Sequence, residues 1–136
     1  MAETATKITN SEAPLSSTVK GRIAELVAMT AFASAGWTVM EPTSAETFDF
    51  AVTKPGTPEI KRIQVKCGTK RVRDGVEYYV IKGRRNSGVP YTLEEADFFA
   101  GVIDDEVYVV ENSELSEYWQ KAENARESWN RLSTGL

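Results

Sequence analysis

The sequence predicts an α/β fold, a sheet flanked by one helix near the N-terminus and another at the C-terminus. Three observations carry that expectation. Val19, Ile23, Leu26, Val27, Ala31 and Phe32 recur at helical spacing and are followed by Gly36, a helix stop. The middle of the chain is a series of short β-branched and aromatic runs parted by Pro, Gly and Asp, the pattern of strands and turns. Leu115, Tyr118, Trp119, Ala122, Ala125, Trp129 and Leu132 then form an apolar stripe at helical spacing.

Met1 to Leu15 is rich in Ala, Thr, Ser and Glu and has no sustained period, so it reads as a mobile arm, with residues 16–136 as a single domain. Ser16, Ser17 or Thr18 caps the first helix, which runs from Val19 to Ala35. From Ala24 onward this helix is apolar or small nearly all round, which predicts cover on more than one side, and Glu25 is its only charge there. Burying a carboxylate without a partner is costly, so Glu25 is either exposed, protonated, paired with a base, or on a cation.

Trp37 to Glu41 reads as the first strand, ended by Pro42, and Phe48 to Val52 as the second. Alternation puts Phe48, Phe50 and Val52 on one face of that second strand and Asp49 with Ala51 on the other. The turn Lys54-Pro55-Gly56-Thr57-Pro58 leads into a third strand, Glu59 to Cys67, antiparallel to the second, which makes Asp49 and Gln64 cross-strand neighbours. A basic loop after Gly68 then passes through Asp74-Gly75 into a fourth strand, Val76 to Ile81. Gly83 to Pro90 has loop composition, and Leu93 to Ala96 fits one helical turn. Phe98 to Ile103 and Glu106 to Val110 read as strands joined at Asp104-Asp105, and Ser113 caps a last helix from Glu114 to Leu132.

A chain of 136 residues, 41% hydrophobic and 26% charged, buries a sizeable core as one domain. With one cysteine, Cys67, and no histidine, it excludes an intramolecular disulfide, Cys/His zinc sites and Ser-His or Cys-His nucleophilic catalysis. Any catalysis must use carboxylates, Lys or Tyr. No apolar run approaches a membrane span and the first residues lack the apolar stretch of a signal peptide, so a soluble, cytoplasmic protein is expected.

The net charge of −4 conceals a split. Ile60 to Arg85 holds nine Lys/Arg against Asp74 and Glu77, a local +7, which leaves −11 on the remainder. Such a strip binds phosphates locally or is simply a solvated face. Lys70, Arg71, Arg73, Lys82, Arg84 and Arg85 fall just beyond the third strand, with Asn86 beside them. Lys and Arg there suit phosphates, while Arg84, Arg85 and Asn86 are the residues expected to reach base edges. On the third strand, Gln64 and Lys66 face one way while Ile63, Val65 and Cys67 face the other.

The order Lys20-Gly21-x-x-x-Glu25, Gly36-Trp37, Phe48-Asp49-Phe50 and Gln64-Val65-Lys66 resembles the PD-(D/E)XK nuclease superfamily over roughly residues 18–110. Phe48 stands where the motif name has Pro, and neutral Gln64 replaces the usual acid. The Gln-x-Lys variant, with the basic hairpin and Tyr91-Thr92 ahead of Asp97-Phe98, is most similar to a branch that includes intron-associated homing endonucleases. Archaeal-type Holliday junction resolvases are related in size and layout. The resemblance implies a restriction-endonuclease-like core with a mixed central sheet, and a phage- or mobile-element-encoded enzyme is in keeping with it.

It also implies a Mg²⁺ site, with Mn²⁺ able to substitute. Asp49 would be the principal ligand, the Gln64 amide oxygen and the Val65 C=O would add neutral oxygens, and Glu25 would bind directly or through water. Lys66 would orient or deprotonate the attacking water. Lys20 and Arg22 join the DNA contacts on the same basis. Double-strand cleavage by a homing or restriction-type enzyme, resolution of a four-way junction, and DNA binding without catalysis all remain open. Cutting two strands needs two such sites, so a homodimer or higher assembly is expected, with the aromatic stripe of the last helix or the strands around Phe98 to Val110 as candidate interfaces.

Overall fold

A computed structural model describes residues 6–136. The first five residues of the expected arm lie outside the described residues, and the rest of it, to Leu15, is exposed and without regular structure. Helix α1 (Ser17–Ser34) opens on Ser16, whose Oγ accepts from the N–H of Val19 at 3.2 Å. It closes with Gly36 at φ +93°, the N–H of Gly36 donating to Ala33 and that of Trp37 to Phe32, the paired bonds of a glycine-terminated helix.

Strands β1 (Thr38–Met40), β2 (Phe50–Thr53) and β3 (Ile60–Cys67) follow as an antiparallel meander. Strands β4 (Thr69–Arg73) and β5 (Val76–Lys82) form a hairpin whose turn residues Asp74 and Gly75 both have positive φ, the turn that suits the strand twist. Strands β6 (Phe98–Ile103) and β7 (Glu106–Glu111) form another, turning on Asp104 and Asp105 in the same way. The chain ends with β8 (Glu117–Lys121), the seven-residue helix α2 (Ala122–Ser128) and β9 (Asn130–Leu132).

The main sheet is mixed, in the order β1-β2-β3-β6-β7-β9, with β3 and β6 parallel and every other pair antiparallel. A second sheet, β4-β5-β8, is antiparallel throughout. On one face of the main sheet α1 lays Ala24, Ala28, Ala31 and Phe32 against Phe50, Val52, Ile63 and Val65. Three alanines let the helix approach closely, and Phe32 meets Phe50 edge-on at 5.7 Å. On the other face Phe99, Ile103, Tyr108 and Val110 pack with Ile81, Tyr91 and Ala125. Gly101 permits this approach, because a Cβ there would stand 2.5 Å from the Ile81 side chain. Among the described residues no helix is long and apolar enough to cross a membrane.

Three expectations are corrected. Helix α1 is covered on one side only, since Val19, Ile23 and Leu26 are 45%, 44% and 48% exposed. The segment after Gly68 is a strand rather than a loop, so Lys70, Arg71 and Arg73 have fixed faces. The long C-terminal helix from Glu114 to Leu132 does not form. Tyr118 and Trp119, adjacent in sequence, point to opposite faces of β8, one onto Phe99 and the other onto Tyr78. Ser113 is no cap, because its N–H donates to the Tyr118 hydroxyl at 2.8 Å. Ladder bonds from β8 to β5 and from β9 to β7 outweigh the helical period. The candidate interfaces change accordingly: the stripe is divided among three elements, and most of β6 and β7 is core.

Candidate active site

Strand β3 lies between β2 and β6, and its alternation turns Ile63 and Val65 toward α1 and leaves Gln64 and Lys66 on the opposite face. The ladder to β2 begins at the Phe50–Ile63 pair, so Asp49 stands opposite Gln64, where the two strands part. Its N–H donates to the Ile63 C=O at 2.9 Å. Its carboxylate accepts the Val65 N–H at 2.7 Å, standing in for the next rung of the ladder. The C=O of Val65 leaves the strand on that same edge.

Burial pushes the Asp49 carboxyl above its usual range, against the lowering effects of the Val65 N–H, Lys66 and Arg22. Glu25, from α1, is also raised, first by burial and then by the charge of Asp49. Two acids therefore press on each other here. Glu25 is also ion-paired to Arg22 at 3.3 Å, and Arg22 reaches Glu41 at 2.9 Å. Burial lowers the Lys66 ammonium, with Arg85 and Arg84 adding to that and Asp49 opposing it. Lys66 Nζ donates to the Arg84 C=O at 3.1 Å and lies 4.9 Å from the centre of the Tyr91 ring. Gln64 is half-buried, and no side-chain hydrogen bond engages its amide among the described residues.

Glu25, Asp49, Gln64 and Lys66 are thus brought to one region by a helix, a strand edge and a strand face. Among the described residues no group of three or more His, Cys, Asp or Glu is placed to hold a metal. The oxygen donors present are two carboxylates, an amide and a backbone carbonyl, a set that fits a hard cation completing its shell with water and substrate oxygens.

The basic residues divide. Arg71 and Arg73 lie on the outer face of the β4-β5-β8 sheet, their guanidinium groups 5.5 and 4.5 Å from the Trp119 ring. Lys70 is paired with Asp104, Arg84 with Glu117 at 2.9 Å, and Arg85 with Glu95. Arg84 and Arg85 are therefore held by their own chain, which leaves exposed Asn86, at the tip of the Arg84–Pro90 loop, as the freest of the three expected base readers. Lys82 is half-buried at the end of β5, and Lys20 is exposed on the first turn of α1.

Sequence reasoning missed the residues that hold this region together. Asn112, 2% exposed, donates through Nδ2 to the C=O groups of Tyr91, Thr92 and Ala96, and its Oδ1 accepts from the Glu114 N–H. Arg62 binds Asp97 and the C=O groups of Leu93 and Glu94, tying β3 to the same loop. Arg62 holds the Asp97 carboxyl below its usual range. The sequence signal for Asn112 was slight: one amide directly after an apolar strand.

A family model described as PD-(D/E)XK endonuclease matches residues 15–132. Among solved structures, that of a bacterial homing endonuclease superposes with a TM-score of 0.63, at 25% identity, over 77% of this chain and 78% of the other. No curated protein matches the sequence.

Proposed function

Since the chain belongs to the PD-(D/E)XK endonuclease family, we propose that it hydrolyses phosphodiester bonds of DNA with a divalent cation, Mg²⁺ or in its place Mn²⁺, and cuts both strands of a duplex as a homing-type enzyme. The observation that carries the reading is the place of Asp49, anchored on the Val65 N–H where β2 leaves β3, with Gln64 and Lys66 beside it and Glu25 within electrostatic reach. Asp49, Glu25, the Gln64 amide oxygen and the Val65 C=O would hold the cation. A cation bound there supplies charge that polarises the phosphate and lowers the pKa of a coordinated water. Lys66, whose ammonium burial lowers from its ordinary pKa, would orient that water and offer N–H bonds to the phosphate as charge builds on it.

The basic residues of β4 and the Arg84–Pro90 loop would position the backbone, Arg71 and Arg73 through phosphates and Asn86 nearest the bases. The similarity to a bacterial homing endonuclease favours duplex cleavage over junction resolution. The same reading takes residues 16–136 as the catalytic domain behind a 15-residue arm. It also takes the working species as an intracellular homodimer, one site per strand.

The test is cleavage of plasmid, linear duplex and four-way junction DNA with and without Mg²⁺. Metal-dependent cutting of duplex that Asp49→Ala abolishes is the expected result. Cutting confined to the junction would make it a resolvase. Tight DNA binding without cutting would leave a nuclease-like binding module, and neutral Gln64 would then be the first residue to suspect.

A further inference from the structure

Among the described residues no carboxylate forms an ion pair with Lys66. Its Nζ has two neutral partners, the Arg84 C=O at 3.1 Å and the face of the Tyr91 ring at 4.9 Å. The same ring carries a second cation, the Arg85 guanidinium at 4.6 Å, which Glu95 holds by an ion pair. Tyr91 is itself firmly placed. It is 8% exposed, its N–H donates to the Gly83 C=O at 3.0 Å, its C=O accepts from Asn112, and Phe99 meets its ring edge-on at 5.8 Å.

We propose that Tyr91 is a positioning residue for the reaction: its ring face fixes the separation and direction of Lys66 and Arg85, so that the lysine at the scissile phosphate and the arginine beside it act together. This rests on the nuclease reading above. A ring face attracts a cation without taking its proton or forming a tight ion pair, so Lys66 keeps N–H groups free for substrate oxygens, and Arg85, paired on one side with Glu95, keeps the rest of its guanidinium N–H groups. A carboxylate in its place would occupy those N–H groups. Placement of this kind acts on the rate of the bound complex rather than on affinity, because misplacing a group near the reacting atoms costs far more than losing one outer contact.

The role is tested with the full-length protein by single-turnover cleavage at saturating duplex, DNA affinity in Ca²⁺, and the ¹³C-edited chemical shifts of the Lys66 ε-methylene, which ring currents from Tyr91 move upfield. Tyr91→Phe keeps the ring and is expected to hold rate and shift within about threefold and a few hundredths of a ppm. Tyr91→Leu is expected to slow cleavage about 10- to 100-fold, with affinity within about threefold, and to abolish the upfield shift. Replacing Tyr91 by a graded series of fluorinated phenylalanines preserves shape while draining the ring face. The rate is expected to fall with each added fluorine, which a purely structural role would not produce, and this series settles the matter if the leucine variant does not fold. A flat fluorine series, or Tyr91→Phe as slow as Tyr91→Leu, overturns the proposal while wild-type cleavage stands. A wild type that cuts no DNA but shows the Lys66 shift overturns the nuclease reading instead, and the catalytic role of Tyr91 with it.

Discussion

Replacing Asn112 by Ala should cost more stability than any other single polar truncation among the described residues. The amide is 2% exposed and touches five groups: three backbone carbonyls through Nδ2 at 2.9 to 3.2 Å, the Glu114 N–H at 2.9 Å and the Tyr118 hydroxyl at 3.4 Å. Two amide hydrogens cannot serve three carbonyls fully, so Nδ2 contributes about two bonds and Oδ1 about one good one. At about 1 kcal/mol net each, with a further ~1 kcal/mol for the carbonyls of Tyr91 and Ala96 left buried without a donor, the loss is roughly 4 kcal/mol. Against a total stability of about 5–15 kcal/mol that is a large share. A chain of this length loses about 4 °C per kcal/mol, so thermal melting should fall by roughly 10–20 °C. The assay is circular dichroism melting with urea titration, and exposed Glu123→Ala is the control. A fall under about 3 °C with an unchanged urea slope would refute the accounting. It would mean that water or a shifted loop satisfies those carbonyls.

Other outcomes follow from the same geometry. Lys66→Ala should spare DNA affinity and abolish cleavage, measured by salt-dependent binding beside single-turnover rates; normal cleavage would remove Lys66 from the chemistry. Arg71→Ala and Arg73→Ala should each weaken binding to every duplex and lower the salt slope by about one, and wild-type binding would make the outer face of β4 a solvated surface only. Asp49 and Glu25 both titrate above the ordinary carboxylate range, so protons compete with the cation at higher pH than usual. The Mg²⁺ concentration needed for half-maximal cleavage should therefore rise as pH falls, beginning at a higher pH than ordinary carboxylates would dictate. Asp97 is shifted the other way, by Arg62, so its contribution to stability is present above its unfolded pKa and is lost as pH falls through the lower folded one. Asp97→Asn should flatten that acid limb in melting curves, and an unchanged limb would show the pair to be inert.

Much of the fold was legible because its signals are local. Ser16 and Gly36 bound α1, Asp74-Gly75 and Asp104-Asp105 turn the hairpins, and the alternation in Ile63 to Lys66 assigns the faces of β3. The C-terminal third was not. Its aromatic residues recur at helical spacing, yet each is claimed by a different neighbour, Tyr118 by Phe99, Trp119 by Tyr78 and Trp129 by Tyr108. Only strand pairing across the chain reveals that. The same limit applies around the candidate site. Asp49, Gln64 and Lys66 stand out as polar residues in strand contexts, whereas the roles of Tyr91 and Asn112 depend on which loop the parallel β3–β6 pairing delivers to Lys66. The pairing of Arg84 and Arg85 with Glu117 and Glu95 was equally out of reach, since neither acid is near them in sequence.

The parallel neighbour of β3 is made late. When β3 leaves the ribosome it can pair with β2 at once, but β6 emerges only after the whole β4–β5 hairpin and the Tyr91 loop, and Asn112 later still. Until then Glu25, Asp49, Gln64 and Lys66 all exist in the nascent chain with one edge of their strand bare and no ring beneath the lysine. Parallel pairing across so long a connection is slow to form. Translation products that stop short of β6 therefore carry every reacting group of the proposed site without the strand that completes its geometry.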